Sequence, residues 1–178
     1  IDVDVFTEEG KSAKDGEKGE LVVKKPFPSM PIKFWGDKDG KKYHKAYFTK
    51  FKNIWHHGDF IERTSNNGFI MRGRSDSTLN PGGVRIGTSE IYQQVENIDF
   101  INEGLVVGQD YKDDDRIILF VTTKNNLELD DEKVKLIKTI IRKNCSPKHV
   151  PSLIIKVPEI PRTKSGKIVE LAIKKIIH

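Results

Sequence analysis

The sequence has little of the chemistry that builds covalent cross-links or cysteine-based metal sites. Its 178 residues include one cysteine, Cys145, which excludes an internal disulfide and a zinc site made of several cysteines. Proteins of oxidising compartments commonly rely on disulfides, whereas a cysteine-poor chain fits a reducing compartment. We therefore expect a cytoplasmic protein.

Long apolar runs and one-sided charge are also missing. No segment reaches the ~18 consecutive apolar residues that a membrane-spanning helix needs, and no basic start precedes an apolar secretory stretch. Charged residues make up 32% of the chain, yet no long run of one sign predicts disorder. The formal net charge of +5 favours partners that carry phosphate, such as nucleotides, coenzyme A (CoA), nucleic acid or an anionic membrane.

Hydrophobic periodicity after residue 77 predicts a small α/β domain. The elements, in order, are a helix from Ser89, strands 104–109 and 116–123, a helix over 130–144, a strand over 153–157, and a helix over 168–177 whose apolar face is Ile168, Leu171, Ala172 and Ile176. Asp130 is suited to cap the helix that follows it. The order α-β-β-α-β-α predicts an α/β (α+β) sandwich of about 100 residues, with a few strands flanked by helices.

A β-hairpin is predicted over residues 59–74, around the turn 65–68. Antiparallel pairing sets Asp59 opposite Arg74 or Asp76, and directly paired side chains lie ~5 Å apart. We therefore expect these charged side chains to cluster at one end of the hairpin.

The rest of the first 75 residues contains no long helical pattern. Residues 20–25 predict a short strand, and residues 26–42, which are rich in proline and glycine, predict an irregular loop. A free-standing domain rarely begins in this way. We therefore expect residues 1–75 to be the β-rich C-terminal remnant of a larger domain, and residues 76–178 to form a domain of their own.

Polar groups that suit a ribose- and phosphate-bearing ligand stand near the predicted turns. Gly58 permits a tight bend, and the carboxylate of Asp59 can accept two hydrogen bonds from a ribose diol. Arg74 and Arg85 are permanently charged, fork-shaped donors for phosphate or ribose oxygens. Taken alone, each is equally compatible with a surface turn that carries solvated charges. A metal site at His56 and His57 is not expected, since neighbouring strand residues point to opposite faces.

A basic loop, Pro161-Arg-Thr-Lys-Ser-Gly-Lys167, precedes the last helix. It lacks the upstream glycine of a phosphate-binding loop, and the Gly-x-Gly-x-x-Gly spacing of dinucleotide sites is absent from the chain. A lysine on such a loop suits another task, the neutralisation of charge that develops at a reacting carboxylate or phosphate. An exposed basic loop without a ligand is the alternative.

The order and spacing of these motifs together resemble the C-terminal signature series of the adenylate-forming superfamily, which includes acyl-CoA synthetases, peptide-synthetase adenylation domains and luciferases. The series consists of Trp55-x-x-Gly-Asp59, Gly73-Arg-x-Asp76, Gly83-x-Arg85-Ile-Gly-Thr-x-Glu90 and Pro161-x-Thr-x-Ser-Gly-Lys167. Within the superfamily, residues 28–37 and 79–92 resemble the acetoacetyl-CoA synthetase branch more than the acetyl-CoA synthetases.

The resemblance implies nucleotide-binding and catalytic roles. Asp59 and Arg74 would contact the nucleotide ribose, and Arg85 would contact ATP phosphate. Lys167 would be the catalytic lysine of adenylate formation. Glu170 departs from the pattern, because many relatives carry arginine at this place.

The resemblance also implies a moving domain and a path for CoA. Asp76 would be the hinge about which the mobile C-terminal domain, residues 76–178, turns. Gly83 would line the path of the pantetheine arm, and Arg142 would contact a CoA phosphate.

The implied activity is that of an AMP-forming acid–CoA ligase that uses ATP, Mg²⁺ and CoA. The acid would be acetoacetate, with acetate, propionate or another short acid as the alternative. The acyl pocket and adenine contacts would lie in an N-terminal domain that this chain lacks, so the chain alone is expected to be inactive.

A basic α/β module that binds RNA or another protein is an alternative of a different class. The sequence disfavours it, because aromatic residues are not interleaved with the basic residues of the loops.

Overall fold

The computed structural model describes residues 1–177 and divides the chain into two compact units. The first is Ile1–Ser75, and the second begins at Asp76. Within the described range there are two β-sheets and four α-helices, which confirms the predicted mixed α/β class. None of the helices in that range combines the length and the apolar character that a bilayer crossing requires.

The first unit is built on a four-stranded antiparallel sheet. In pairing order its strands are β1 (Val3–Phe6), β2 (Lys18–Val23), β3 (Trp55–Arg63) and β4 (Phe69–Arg74). Ile61 and Val5 are fully buried in its apolar cluster beside Ala13. The sequence predicted β2 and the hairpin but not β1, although Val3, Asp4 and Val5 alternate apolar and polar side chains as a strand does.

A short helix, α1 (Lys41–Tyr47), follows the irregular loop of the first unit. The Tyr47 ring stacks on Trp55 with centroids 3.7 Å apart. Asp37, which is buried, accepts hydrogen bonds from the backbone N–H groups of Lys42 and Tyr43 at 3.2 and 2.8 Å. These bonds satisfy donors that the first turn of a helix leaves without an intrahelical partner.

The predicted hairpin is present, and its register pairs Asp59 with Arg74. Asn67 in the turn adopts a φ of 56°, a left-handed conformation that asparagine tolerates better than most residues. Of the two partners predicted for Asp59, Arg74 and Asp76, the structure has Arg74.

The second unit follows the predicted order α-β-β-α-β-α. Its elements are α2 (Thr88–Val95), β5 (Ile101–Tyr111), β6 (Asp114–Thr123), α3 (Asp131–Asn144), β7 (Leu153–Lys156) and α4 (Glu170–Ile177). Strands β5 and β6 pair antiparallel, whereas β6 and β7 pair parallel. A parallel pair needs a long crossover, which α3 supplies. Asp130 caps α3 as predicted, because its side chain accepts from the Lys133 N–H.

Both faces of the β5-β6-β7 sheet carry apolar clusters, since alternate strand residues point to opposite sides. Leu119 and Val121 pack with Ile137 and Ile141 of α3 on one face. On the other face, Leu105 belongs to the cluster that α4 joins. The predicted sandwich of strands flanked by helices is therefore confirmed.

The apolar face predicted for the last helix is wrong in part. It consisted of Ile168, Leu171, Ala172 and Ile176. The helix begins at Glu170, and Ile173 and Ile177, four residues apart, pack on the sheet cluster. Leu171 and Ile176 are 42% and 77% exposed. The side of the helix that contacts the sheet is therefore the one that carries Ile173 and Ile177, and Leu171 and Ile176 lie away from it.

Adjacent residues of α3 provide a test of this packing. Ile137→Ala should lower the free energy of unfolding of the second unit by roughly 2–5 kcal/mol, because it leaves a cavity at a fully buried position. Leu136→Ala, at a position 47% exposed, should change the free energy of unfolding by less than about 1 kcal/mol. Urea unfolding followed by circular dichroism measures both. Equal losses would contradict the orientation of this helix.

Candidate functional site

A charged cluster lies where β3 and β4 pair in the first unit. Arg74 Nη1 donates to Asp59 Oδ1 at 3.0 Å, and His57 Nε2 lies 3.4 Å from Asp59 Oδ2. Each carboxylate oxygen thus faces a nitrogen that orients it. An ionised carboxylate offers about four lone-pair directions, so acceptor capacity remains for the hydroxyl groups of a ligand.

His57 is a site residue to which the sequence analysis assigned no role. Trp55 Nε1 donates to His57 Nδ1 at 3.2 Å. Because an indole N–H can only donate, Nδ1 accepts, and the neutral ring carries its proton on Nε2, the nitrogen that faces Asp59. The sequence did contain a pattern that indicates this cluster: Trp55, His57 and Asp59 alternate on a strand and therefore share one face.

The neighbouring histidine points elsewhere. His56 Nε2 lies 2.9 Å from Oε2 of Glu20, a fully buried carboxylate that also accepts from Lys50 Nζ and the Ser75 hydroxyl. The two histidines therefore contact different carboxylates. Among residues 1–177, no group of three or more His, Cys, Asp or Glu side chains is arranged to hold a metal ion.

Gly58 is required by the close approach of Arg74. Its φ is 86°, in the left-handed region. A Cβ at this position would lie 2.8 Å from Arg74 Nη2. A side chain here would both strain the backbone and displace the guanidinium from Asp59.

A glycine turn in the second unit presents its backbone to solvent. It is the 3₁₀ turn Pro81–Gly83, in which Gly82 and Gly83 have φ values of 58° and 75°. Among the described residues, nothing would lie within 4 Å of a Cβ on Gly83, so a ligand has room there. Arg85 follows the turn, and its Nε donates to Thr78 Oγ1 at 3.2 Å.

Two basic residues lie on the elements after this turn. Arg142 is exposed in the last turn of α3. Lys148 reaches the turn itself, because a Cβ on Gly82 would collide with the Lys148 ammonium. The structure places Arg142 on the solvent side of its helix, and its contact with CoA stays a prediction.

The predicted catalytic loop is exposed and internally hydrogen-bonded. The Thr163 N–H donates to the Lys167 carbonyl at 2.8 Å, and the Lys167 N–H donates to Thr163 Oγ1 at 3.1 Å. Arg162 bridges the loop to β5, since Nη1 donates to the Gly166 carbonyl and Nη2 to Glu103 Oε1, at 2.6 and 2.8 Å. The backbone that carries Lys167 is therefore held in place, while its side chain faces solvent.

Glu170, the departure from the family pattern, anchors the far side of this loop. The Tyr92 hydroxyl donates to Glu170 Oε1 at 2.5 Å and accepts from the Val106 N–H at 3.1 Å. Burial, and secondly the Glu170 charge, raise the pKa of Tyr92 far above its ordinary value. Tyr92 therefore remains a neutral donor, and a carboxylate suits the position that faces it.

The predicted site residues fall in both units. Asp59 and Arg74 meet in the first, whereas Gly83, Arg85, Arg142 and Lys167 belong to the second. Asp76 is exposed in the 3₁₀ turn Ser75–Ser77 and is the first residue of the second unit. The individual roles of these residues stay predictions.

Comparison with known proteins shows which enzymes the chain is similar to. The chain is 56% identical over 176 residues to the acetoacetyl-coenzyme A synthetase of Rhizobium meliloti (strain 1021), an alignment that covers 99% of the chain and 27% of that relative. It also matches the solved structure of the acetoacetyl-CoA synthetase from Streptomyces lividans with a TM-score of 0.91 and 44% identity, over 98% of this chain and 26% of that one. Throughout its length the chain is therefore similar to a part of the acetoacetyl-CoA synthetases.

A vertebrate relative supports the same assignment. The acetoacetyl-CoA synthetase of Xenopus tropicalis is 48% identical over 177 residues, which cover 98% of the chain and 26% of the relative. The chain thus spans about a quarter of the length of the curated relatives it matches. No protein-family model matches the chain. The superfamily resemblance predicted from the motif series is confirmed.

The anchor beneath the Lys167 loop can be tested with one pair of tyrosines. Tyr92→Phe should lower the free energy of unfolding of the second unit by about 1–3 kcal/mol, because the Val106 N–H and the Glu170 carboxylate lose their partner. Tyr111 is 44% exposed, and its ring faces the Arg116 guanidinium at 3.8 Å. Tyr111→Phe keeps that contact and should have little effect. Thermal unfolding distinguishes the two, and equal shifts would refute the anchoring role.

Proposed function

We propose that the chain is the C-terminal portion of an acetoacetyl-CoA synthetase of the adenylate-forming superfamily. In this proposal the full-length enzyme activates the acid with ATP as an acyl-adenylate and then transfers the acyl group to CoA. The observation that carries the proposal is the 56% identity over 99% of the chain to a relative of that name. The oriented Asp59 carboxylate and the exposed Lys167 support it.

In the first half-reaction, an oxygen of the acid attacks the α-phosphorus of ATP, and pyrophosphate leaves. Asp59, oriented by Arg74 and His57, would accept hydrogen bonds from the ribose hydroxyls. Arg85 would face phosphate. Lys167 would offset the negative charge that gathers on the reacting groups, a contribution that depends on a preorganised donor.

In the second half-reaction, the CoA sulfur attacks the acyl carbon, and AMP leaves. The open side of Gly83 would admit the narrow pantetheine arm, and Arg142 would meet a phosphate of CoA. Asp76 would be the hinge between the two arrangements, since one active site must serve two transition states. Ser75 donates to the buried Glu20 in the first unit, so the residue before the hinge is anchored.

Mg²⁺ would accompany ATP in the full-length enzyme. The donor set of the described residues does not fit a magnesium site, because they contain no cluster of metal-ligating side chains. The proposed steps of this chain therefore assign none of its residues to Mg²⁺. We place the enzyme in the cytoplasm, with the N-terminal domain of the same protein as the partner of this chain.

Acetoacetate is the proposed acid because the relatives carry that name. Acetate or propionate would be alternatives, since the acyl pocket lies outside this chain. Pyrophosphate release by the full-length enzyme, measured with a panel of short acids, decides between them. Preference for acetate or propionate would overturn the assignment of the acid. If none of the acids supports pyrophosphate release, the proposed ligase activity is wrong.

The lysine loop yields a specific test. In the full-length enzyme, Lys167→Ala should slow adenylate formation by about two orders of magnitude, an effect of roughly 3 kcal/mol for one preorganised donor. Conversion of preformed adenylate to thioester should be largely spared. Lys164, exposed on the same loop, provides the control, and Lys164→Ala should leave both half-reactions nearly unchanged. Equal damage to both half-reactions by Lys167→Ala would refute its assignment.

The hinge yields the opposite pattern. Asp76→Pro fixes φ near −65° and removes an N–H, so the full-length variant should lose thioester formation while keeping adenylate formation. Asp76→Ala leaves the backbone free to rotate and should retain both. Each half-reaction is followed separately, by pyrophosphate release and by thioester yield from preformed adenylate. Unimpaired CoA transfer in Asp76→Pro would show that the hinge lies elsewhere.

A further inference from the structure

The glycine turn of the second unit is exposed, yet its backbone is held. A turn with two glycines gains much conformational freedom when released, so it needs external partners to keep one shape. Within the turn, the Gly83 N–H donates to the Asn80 carbonyl at 3.2 Å. The N–H groups of Asn80 and Gly82 point outward from the turn to side chains 35 and 32 residues later in the chain.

Those side chains belong to the tip of the β5–β6 hairpin. Asp115 Oδ2 accepts from the Asn80 N–H at 2.6 Å, and Asp114 Oδ1 accepts from the Gly82 N–H at 2.7 Å. The hairpin loop is Lys112-Asp113, whose φ values of 50° and 65° are typical of a tight two-residue connection. The tip therefore presents its two carboxylates at a fixed position.

The surroundings of the carboxylates are arranged for this contact. A Cβ on Gly108, on the facing strand, would overlap the Asp115 carboxylate, so the absence of a side chain makes room for it. The N–H of Gly82, and secondly that of Asp115, lower the pKa of Asp114, with a smaller contribution from Lys148. Asp114 is thus an ionised acceptor at neutral pH, and hydrogen bonds to an ionised acceptor are about twice as strong as neutral ones.

Metal binding does not account for this acidic tip. Of the residues that the structure describes, no three His, Cys, Asp or Glu side chains are placed to share an ion. The acids instead bind backbone N–H groups of the turn that exposes Gly83. A backbone hydrogen bond fixes the path of the chain itself, so its effect passes directly to the neighbouring glycine.

We propose that Asp114 and Asp115 are positioning residues for thioester formation, which act by fixing the Asn80–Gly83 turn. The inference rests on the proposed function, in which Gly83 lines the path of the pantetheine arm. A turn that wanders by even about 1 Å costs rate, because the CoA sulfur must approach the acyl carbon in a narrow range of geometries. Adenylate formation uses Lys167, which lies on a separate loop, and Arg85, which follows the turn but has its own hydrogen bond to Thr78. It should therefore depend much less on the two carboxylates.

The test compares the two half-reactions in the full-length enzyme. Asp115→Ala and Asp114→Ala should each slow thioester formation from preformed adenylate by about tenfold or more, since each loses a side-chain hydrogen bond to the backbone of the turn. Pyrophosphate release should change by less than about twofold, because the Lys167 loop is untouched. The two variants should have a higher KM for CoA, so the loss of rate should be smaller at high CoA concentration.

Two further variants separate the hydrogen bond from charge alone. Asp113→Asn removes a neighbouring negative charge that contacts no backbone group of the turn, and asparagine tolerates its left-handed φ. It should leave both half-reactions unchanged. Asp115→Asn removes the charge of Asp115, as Asp115→Ala does, but keeps an oxygen that can accept the hydrogen bond. It should therefore retain most of the thioester-forming activity that Asp115→Ala loses. Equal behaviour of Asp113→Asn and Asp115→Ala would overturn the proposal.

Amide hydrogen exchange provides a readout that does not depend on activity. In the wild-type enzyme the N–H groups of Asn80 and Gly82 should be protected, and Asp115→Ala should speed their exchange. Unchanged exchange, or equal loss in both half-reactions, would refute the positioning role even if the enzyme is a CoA ligase. A wild-type enzyme that makes no thioester would overturn the proposed function, and with it this role.

Discussion

Antiparallel strand pairing is the constraint on which the charged groups of both units depend. In the first unit the β3–β4 register sets Asp59 opposite Arg74. In the second, the tight connection of β5 and β6 sets Asp114 and Asp115 at the hairpin tip. A slip of one residue would turn every side chain to the other face of its sheet. Each strand register therefore determines both which side chains are buried and where the charged side chains lie.

Exposed loops in the second unit share one physical solution. The turn at Gly83 is held by carboxylates of the hairpin tip, and the loop of Lys167 is held by Arg162 and Glu103. In both loops an acidic or basic side chain binds a backbone group. Gly83 and Lys167, the residues with proposed roles, remain exposed to solvent. Ionic hydrogen bonds suit this task, because an exposed loop buries too little apolar surface to be ordered by packing.

Local features were predictable from the sequence, and contacts between distant residues were not. The hairpin followed from its turn, and the cap of α3 from Asp130 and the apolar repeat. The turn left Arg74 and Asp76 open as partners of Asp59, and the register shift between Phe60 and Ile61 was not predicted. The predicted face of α4 was wrong in part, because its helical repeat was counted from Ile168, which packs on the sheet cluster but precedes the helix. His57 was missed although it alternates with Asp59 on one strand. The bond from Asn80 to Asp115 joins residues 35 positions apart, and no local pattern encodes it.

The distribution of aromatic residues bears on the choice between a small ligand and a nucleic acid. A single-stranded nucleic acid is bound by exposed rings on which successive bases stack, beside a basic groove. In the described part of the second unit, Tyr92 and Phe120 are engaged in the clusters around the sheet, and the half-exposed Tyr111 faces Arg116. The basic residues of α3 and of the Lys167 loop thus stand without a stacking surface. Lys148, whose ammonium lies at the open glycine turn, is suited to one of the few phosphates of the proposed nucleotide or CoA ligand.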